Sequence, residues 1–352
     1  MTRPIHVAIL GASGYGAGEL LRMLTHHPQV DVISVSSTSQ VDAPLAAVHP
    51  HLRGFYDGLH IAAAVDFERL RAAEHAVVFS ALPHGASANA IQAVLDAHAE
   101  RVRIIDLSGD FRLADAATHQ RYYPESPRLP ELRARFVYGL PELNREHVRT
   151  ARCVANPGCL ATAAILAAAP LVAGGFAGLL AVDAKTGSSG SGRQLKDATH
   201  HPTRHADVRA YKPLAHQHEP EILQALGDPR GDRWQLSFVA QSLYLARGIF
   251  VTLHATWPQD ADCGAELAAG YRTFYAEHPF VRVVDDESPA LQNVVGSNFC
   301  DLAVAARGRQ VLVMAAIDNL VKGMAGTAIQ NMNLMCGLPE TTGLWWPSFR
   351  PV

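Results

Sequence analysis

Short apolar runs organise the first half of the chain. IHVAIL (5–10), VDVISVSS (30–37), HAVVFSALP (75–83) and VRIIDLSG (102–109) each end in small or turn-forming residues. Such runs predict buried strands, the pattern of a parallel sheet covered on both faces. Between the first two lies GASGYGAGELLRMLTHHP (11–28), where Leu20, Leu21 and Leu24 form a helical stripe that stops before Pro28. Strand, glycine turn, helix and strand in that order predict a right-handed βαβ unit and, with the later runs, a doubly wound dinucleotide-type domain.

Past residue 155 the spacing changes. GLLAVDAKTGSSGSGR (178–193), RWQLSFVAQSLYLARGIFVTLHATW (233–257) and QVLVMAAIDNLV (310–321) are longer runs with hairpin-like spacing and few helices between them. They predict a mostly antiparallel sheet in an α+β domain. GMAGTAIQNMNLMCGLP (323–339) reads as a closing helix that stops at Gly337 and Pro339. The expected division is 1–155 for the α/β domain, completed by 319–352, and 156–318 for the second domain.

Composition changes this picture little. The chain has 352 residues, enough for two domains, and a formal charge of −3, which offers no basic surface for nucleic acid or acidic lipid. No apolar run reaches membrane-spanning length, since the Ala-rich stretch from Ala161 to Leu171 is interrupted by Pro170. The five cysteines (153, 159, 263, 300 and 336) are scattered, and no signal peptide is evident. A soluble cytoplasmic protein with free thiols is therefore expected. No His/Cys spacing reads as a metal site, so no metal is expected.

Four motifs carry candidate chemistry. The glycine turn Gly11, Ala12, Ser13, Gly14, Tyr15 and Gly16 lets backbone approach a pyrophosphate at a helix N-terminus, or is simply a strand-to-helix turn. The second strand ends in hydroxyls, Ser36, Ser37 and Thr38, with no acid to select NAD; this favours NADP(H). In ANPGCLATAA, Cys159 opens a helix whose dipole favours a thiolate, although a small buried residue fits the same place. In AHQHEPEI, His216 or His218, oriented by Glu219 or Glu221, is a candidate base for Cys159; a polar loop before a helix is the alternative. KTGSSGSGR (185–193) reads as an anion-binding nest with Gly187, Ser188, Ser189 and Arg193, or as a flexible loop. Arg112 follows a strand's C-terminal end, where ligands of open sheets collect.

Taken together these blocks resemble the N-acetyl-gamma-glutamyl-phosphate reductases of the aspartate-semialdehyde dehydrogenase group. GASGYGAGELL, ALPHG, DLSGDFRL, ANPGCLATAA, SGSGR, AHQHEPEI and AIDNLVKGMAGTAIQNMN occur in the family's order along nearly the whole chain. The resemblance implies a Rossmann domain plus an α+β catalytic and oligomerisation domain, and NADPH-dependent reduction of an acyl phosphate. It implies Cys159 as nucleophile through a thioester, His218 as base with His216 as second choice, and Arg112, Asn156 and the loop Gly187 to Arg193 as substrate contacts. Pro83, His84 and Asn319 resemble positions around the nicotinamide. A dimer or tetramer is implied as well.

Three departures stand out. YGAGEL replaces the commoner YTGAEL, the Ser-rich turn lacks the usual Arg, and Gln217 stands where Arg is common. ATHHPTRHADVRAYKP (198–213) is more similar to reductases that act on aminoadipyl phosphate linked to a small acidic carrier protein. There Arg204, Arg209 and Lys212 are expected to form a basic strip facing such a carrier.

Overall fold

The computed structural model describes residues 4–98, 102–228, 230–257, 264–285 and 288–351. The chain forms two compact units: residues 1–157 with 324–345, and residues 158–323 with 346–352. Asn319 to Gly323 therefore belong with the second unit, and the return to the first begins later than the pattern suggested. Cys263 lies outside the described residues.

The first unit is built on β1 (Ile5–Leu10), β2 (Val30–Ser36), β3 (Ile61–Ala62), β4 (His75–Ser80), β5 (Val102–Asp106), β6 (Phe136–Tyr138) and β7 (Cys153–Ala155). Their order is β3-β2-β1-β4-β5-β7-β6, and the pairs are parallel throughout. Val7, Ala8, Ile9, Val77, Val78, Phe79 and Ile104 are fully buried, which is why these strands read as apolar runs rather than alternations. Helix Tyr15–Leu24 follows β1, its Leu20 and Leu21 fully buried.

Helix Gly326–Met335 completes this unit late in the sequence, and its polar side chains are buried with it. Asn331 Nδ2 donates to the Gly139 carbonyl (2.8 Å), Gln330 Nε2 to Glu142 (3.2 Å), and Asn333 Oδ1 lies 2.9 Å from His27 Nε2. Buried amides paired in this way avoid the desolvation cost of an unmade hydrogen bond.

The second unit carries β8 (Leu179–Thr186), β9 (Arg209–Tyr211), β10 (Gln235–Ser242), β11 (Ile249–Thr256), β12 (Val281–Val283), β13 (Cys300–Arg307) and β14 (Gln310–Ile317). Their order is β12-β13-β14-β11-β8-β10-β9. The sheet is mostly antiparallel, but β8 pairs with β10 and β12 with β13 in parallel. The hairpin-like spacing hid the first of these, because the connection from β8 to β10 passes through helix His218–Ala225. Burial alternates along β8 and β11, as expected of a sheet packed mainly on one face. Against that unit's core lies helix Cys159–Ala173, apolar on every side and buried from Leu160 to Ala169.

Candidate active site

In the first unit the glycine turn is pinned from below. The amides of Gly11 and Ala12 both donate to the Ser36 carbonyl (2.8 and 2.9 Å), and His49 Nε2 contacts the Ala12 carbonyl at 2.7 Å. Gly11 has φ +81, and a Cβ there would sit 2.8 Å from the Ala81 carbonyl carbon, so only glycine fits. The helix that follows is capped by Gly14 with no side-chain cap bond and no acid in its first turn. Its N-terminal amides thus stay suited to an anion. Ser13 Oγ lies 3.1 Å from both Ser37 and Ser39 Oγ, a cluster of hydroxyls beside the turn. Glycines that exclude side chains, an uncapped helix start and clustered hydroxyls together fit an NADP(H) pyrophosphate and 2′-phosphate. Ser36 contributes its backbone; its side chain is buried, and Thr38 is exposed.

The strand ends opposite carry a buried polar network. Asp106 is fully buried and accepts from Ser87 (2.6 Å) and Ser108 (2.7 Å). Burial pushes its pKa up to about 6, against the pull of those bonds. Asp110 accepts from the amides of Gly85 (2.8 Å) and Ala88 (2.9 Å), and His84 Nδ1 accepts from the Gly109 amide (2.7 Å). These bonds fix the Pro83–His84 loop. Arg112, expected from the sequence at a strand end where ligands collect, is buried: Nε donates to the Asn156 carbonyl and Nη2 to the Leu107 carbonyl, both 2.8 Å. Asn156 is itself held by Asn331 (3.1 Å) and the Met324 carbonyl (3.1 Å).

In the second unit, Cys159 is the first residue of its helix and half-buried, with Gly158 as N-cap. The Gly158 amide donates to Glu221 Oε1 at 2.7 Å, and Glu221 is fully buried. Glu221 Oε2 lies 3.9 Å from His218 Nε2. A Cβ on Gly158 would come within 2.2 Å of that same Nε2, so the imidazole lies flat against the residue preceding the thiol. His216 stands apart in character. Its Nδ1 accepts the His218 backbone amide (3.1 Å), its ring packs edge-on to His218 (4.6 Å) and near Phe238, and burial lowers its pKa to about 4. It is a neutral support under His218. Tyr211, its other neighbour, has its pKa raised by burial and by the charge of Cys159.

The Gly/Ser loop is no flexible connection. Ser188 and Ser189 amides donate to the carbonyls of Leu245 (2.7 Å) and Ala246 (3.1 Å), and Gly187 to that of Gly248 (2.8 Å). Asn319 bridges loop and sheet, donating to Ser189 Oγ (2.9 Å) and accepting from the Gly248 amide (2.7 Å). Beside it the buried Asp318 accepts from Arg247 Nε (3.0 Å) and the amides of Gly296, Leu320 and Val321. Its carbonyl receives the Gly323 amide, and a Cβ on Gly323 would meet Cys159 Cβ at 2.7 Å. Loop, Asp318 and thiol are therefore parts of one packed cluster. Sequence reading missed Asp318 and Arg247; only the acid within IDNLVKG could have drawn attention to the former. Arg193 is exposed at the loop's end.

Of the expected basic strip, Arg204 is corrected. Arg204 is buried and bonds the Leu243 carbonyl, Arg209 pairs with Asp207 (2.7 Å), and Lys212 donates to Gln217 (3.0 Å). None of Cys153, Cys159, Cys300 and Cys336 is in a disulfide, and burial raises the thiols of Cys153 and Cys336. Among the described residues no three His, Cys, Asp or Glu side chains converge as a metal site, and no helix is long and apolar enough to cross a membrane.

Two family models match: the semialdehyde dehydrogenase NAD binding domain over residues 6–151 and the semialdehyde dehydrogenase dimerisation domain over 159–319. An N-acetyl-gamma-glutamyl-phosphate reductase of Methanopyrus kandleri is 41% identical, covering 98% of this chain and 99% of its own. A LysW-L-2-aminoadipate 6-phosphate reductase, by name, of Thermomicrobium roseum is 40% identical, covering 99% of each. Aspartate semialdehyde dehydrogenase II of Vibrio cholerae shares the fold, with TM-score 0.71 at 14% identity over 95% of this chain and 99% of that one. With a nucleotide turn in one unit and a Cys–His cluster in the other, the chain belongs to the N-acetyl-gamma-glutamyl-phosphate reductase branch of the semialdehyde dehydrogenases, which are NADP-dependent oxidoreductases.

Proposed function

We propose that the protein reduces N-acetyl-gamma-glutamyl phosphate to the semialdehyde, releasing phosphate, as its relative from Methanopyrus kandleri is named to do. The observation that carries this reading is Cys159 at a helix start, next to a glycine covered by the His218 ring. The glycine turn, with Ser13, Ser37 and the His84 loop, would hold NADPH. When bound, NADPH supplies the hydride that takes the acyl group to the aldehyde level.

His218 takes the thiol proton, and the helix N-terminus steadies the thiolate. The thiolate attacks the carbonyl carbon; a C–S bond forms, the C–O bond to phosphorus breaks, and phosphate leaves. The acyl group then rests on Cys159 as a thioester. After reduction the C–S bond breaks, and Cys159 departs as thiolate while the carbonyl re-forms. The His218 imidazolium, backed by Glu221, faces the oxygen that bears charge in both halves. His216, uncharged, fixes where that imidazole stands. The hydroxyls of Ser188 and Ser189 suit the substrate's anionic groups, with Ser189 Oγ held in place by Asn319.

A carrier-linked aminoadipyl phosphate is the second reading, favoured by the Thermomicrobium roseum relative. The burial of Arg204 and the pairing of Arg209 leave little of the basic strip it would use, so the free acetylated substrate is preferred. A cytoplasmic homo-oligomer suits thiols outside disulfides and the dimerisation model.

The test is phosphate-dependent NADP reduction with N-acetylglutamate semialdehyde. Turnover is expected for the native chain and none for Cys159→Ser, with NADP binding kept. A Cys159→Ser protein that still turns over would overturn the mechanism, and activity confined to a carrier-bound aldehyde would transfer the substrate to the second reading.

A further inference from the structure

Arg204 closes the short helix His201–Arg204 and is 7% exposed. Its Nη2 donates to the Leu243 carbonyl, and its Nε has no hydrogen-bond partner among the described residues. A buried guanidinium N–H left unmatched is costly, and in a native fold such a group calls for an explanation. Its surroundings suggest one. Leu243 directly follows β10, and its own amide donates to the Thr186 carbonyl (2.8 Å), one residue before Gly187. Two residues on, the Leu245 carbonyl receives the Ser188 amide of the Gly/Ser loop. On its other side, Arg204 interacts electrostatically with Tyr211, which responds in turn to Cys159 and packs on His216. The cation is thus built into the segments that frame the thiol, and it is not displayed on the surface.

We propose that Arg204 is a specificity residue whose Nε–H donates to a carboxylate of the substrate. Both candidate acyl phosphates carry such a group on the carbon that bears the acylated nitrogen. The assignment rests on the reductase reading above. A planar carboxylate suits a guanidinium edge.

The experiment runs the reaction in reverse, with aldehyde, inorganic phosphate and NADP as separate reactants, so that each KM reports one subsite. For Arg204→Gln, KM for N-acetylglutamate semialdehyde should rise on the order of ten- to a hundredfold, as for one charged hydrogen bond. KM for phosphate and for NADP should stay near the native values, and Arg204→Lys should fall between. 4-Acetamidobutanal, the same aldehyde without the carboxylate, should be a poor substrate of the native protein, and Arg204→Gln should handicap it no further. That comparison needs no stable variant. A native protein that accepts both aldehydes equally overturns the assignment. So does a variant whose phosphate KM rises instead, or whose losses are the same for both aldehydes. A native protein inert toward every N-acylated amino aldehyde overturns the reductase reading along with it.

Discussion

The imidazole of His218 occupies the space a side chain on Gly158 would need: a Cβ there would lie 2.2 Å from its Nε2. The φ of Gly158 is −70, open to any residue, so the glycine is required by its neighbour and not by its backbone. Gly158→Ala should therefore turn or expel the imidazole. We expect kcat to fall about a hundredfold, the usual cost of displacing a reacting group by an ångström. NADPH binding should persist, while alkylation of Cys159 near neutral pH should slow with the loss of its base. Steady-state kinetics beside an alkylation assay check this; unchanged kcat would refute the placement.

Glu221 serves two masters, the Gly158 amide at 2.7 Å and His218 at 3.9 Å. Glu221→Gln keeps an acceptor for the amide but removes the negative charge beside the imidazole. The acid limb of the kcat/KM profile should move to lower pH, with roughly a tenfold loss of kcat. A loss of activity with an unmoved profile would mean that Glu221 is only scaffolding.

At Gly11 the obstacle is both conformational and steric, with φ +81 and the Ala81 carbonyl at 2.8 Å. Gly11→Ala should cost more than about 1 kcal/mol of stability. It should weaken NADPH binding at least tenfold by fluorescence titration, while Cys159 reactivity is retained. Native-like NADPH affinity would remove this turn from the cofactor site.

Stability should fall on acidification. Burial lowers His216 and His119 from 6.5 to about 4, so between those values the unfolded chain binds two protons that the native chain refuses. Asp106 works the other way: raised from 3.8 to about 6, it holds one proton in the native state that the unfolded state has lost. The balance is 2 − 1 = 1 proton favouring unfolding, roughly 1.4 kcal/mol lost per pH unit near pH 5. His27, also lowered by burial, adds in the same direction. Asp106→Asn should steepen the dependence toward two protons. Denaturant unfolding at stepped pH measures it, and stability that is flat or rising toward pH 4 would contradict the assignment.

Much of this molecule was legible because its signals are local. The strands β1, β2, β4 and β5 are apolar runs, the glycine turn sits between strand and helix, and Cys159 follows NPG. What was hidden depends on contacts far apart in sequence. The parallel β8–β10 pair, the burial of Arg112 and Arg204 and the anchoring of Ser189 by Asn319 are properties of the assembled fold. An arginine carries the same letter whether it meets solvent or a carbonyl. The choice between His216 and His218 shows this best. Two identical residues separated by one position differ because one ring is packed between Tyr211 and Phe238 while the other covers Gly158.

The late return of helix Gly326–Met335 has a consequence for synthesis. As the chain leaves the ribosome, the N-terminal unit lacks the helix whose amides meet His27, Gly139 and Glu142. Those groups, and the apolar surface around them, stay uncovered until residues 326–335 have emerged. The order of domains in the sequence is therefore not the order of their completion. A chain truncated before residue 326 would lose part of the first unit, whose core closes only when that helix docks.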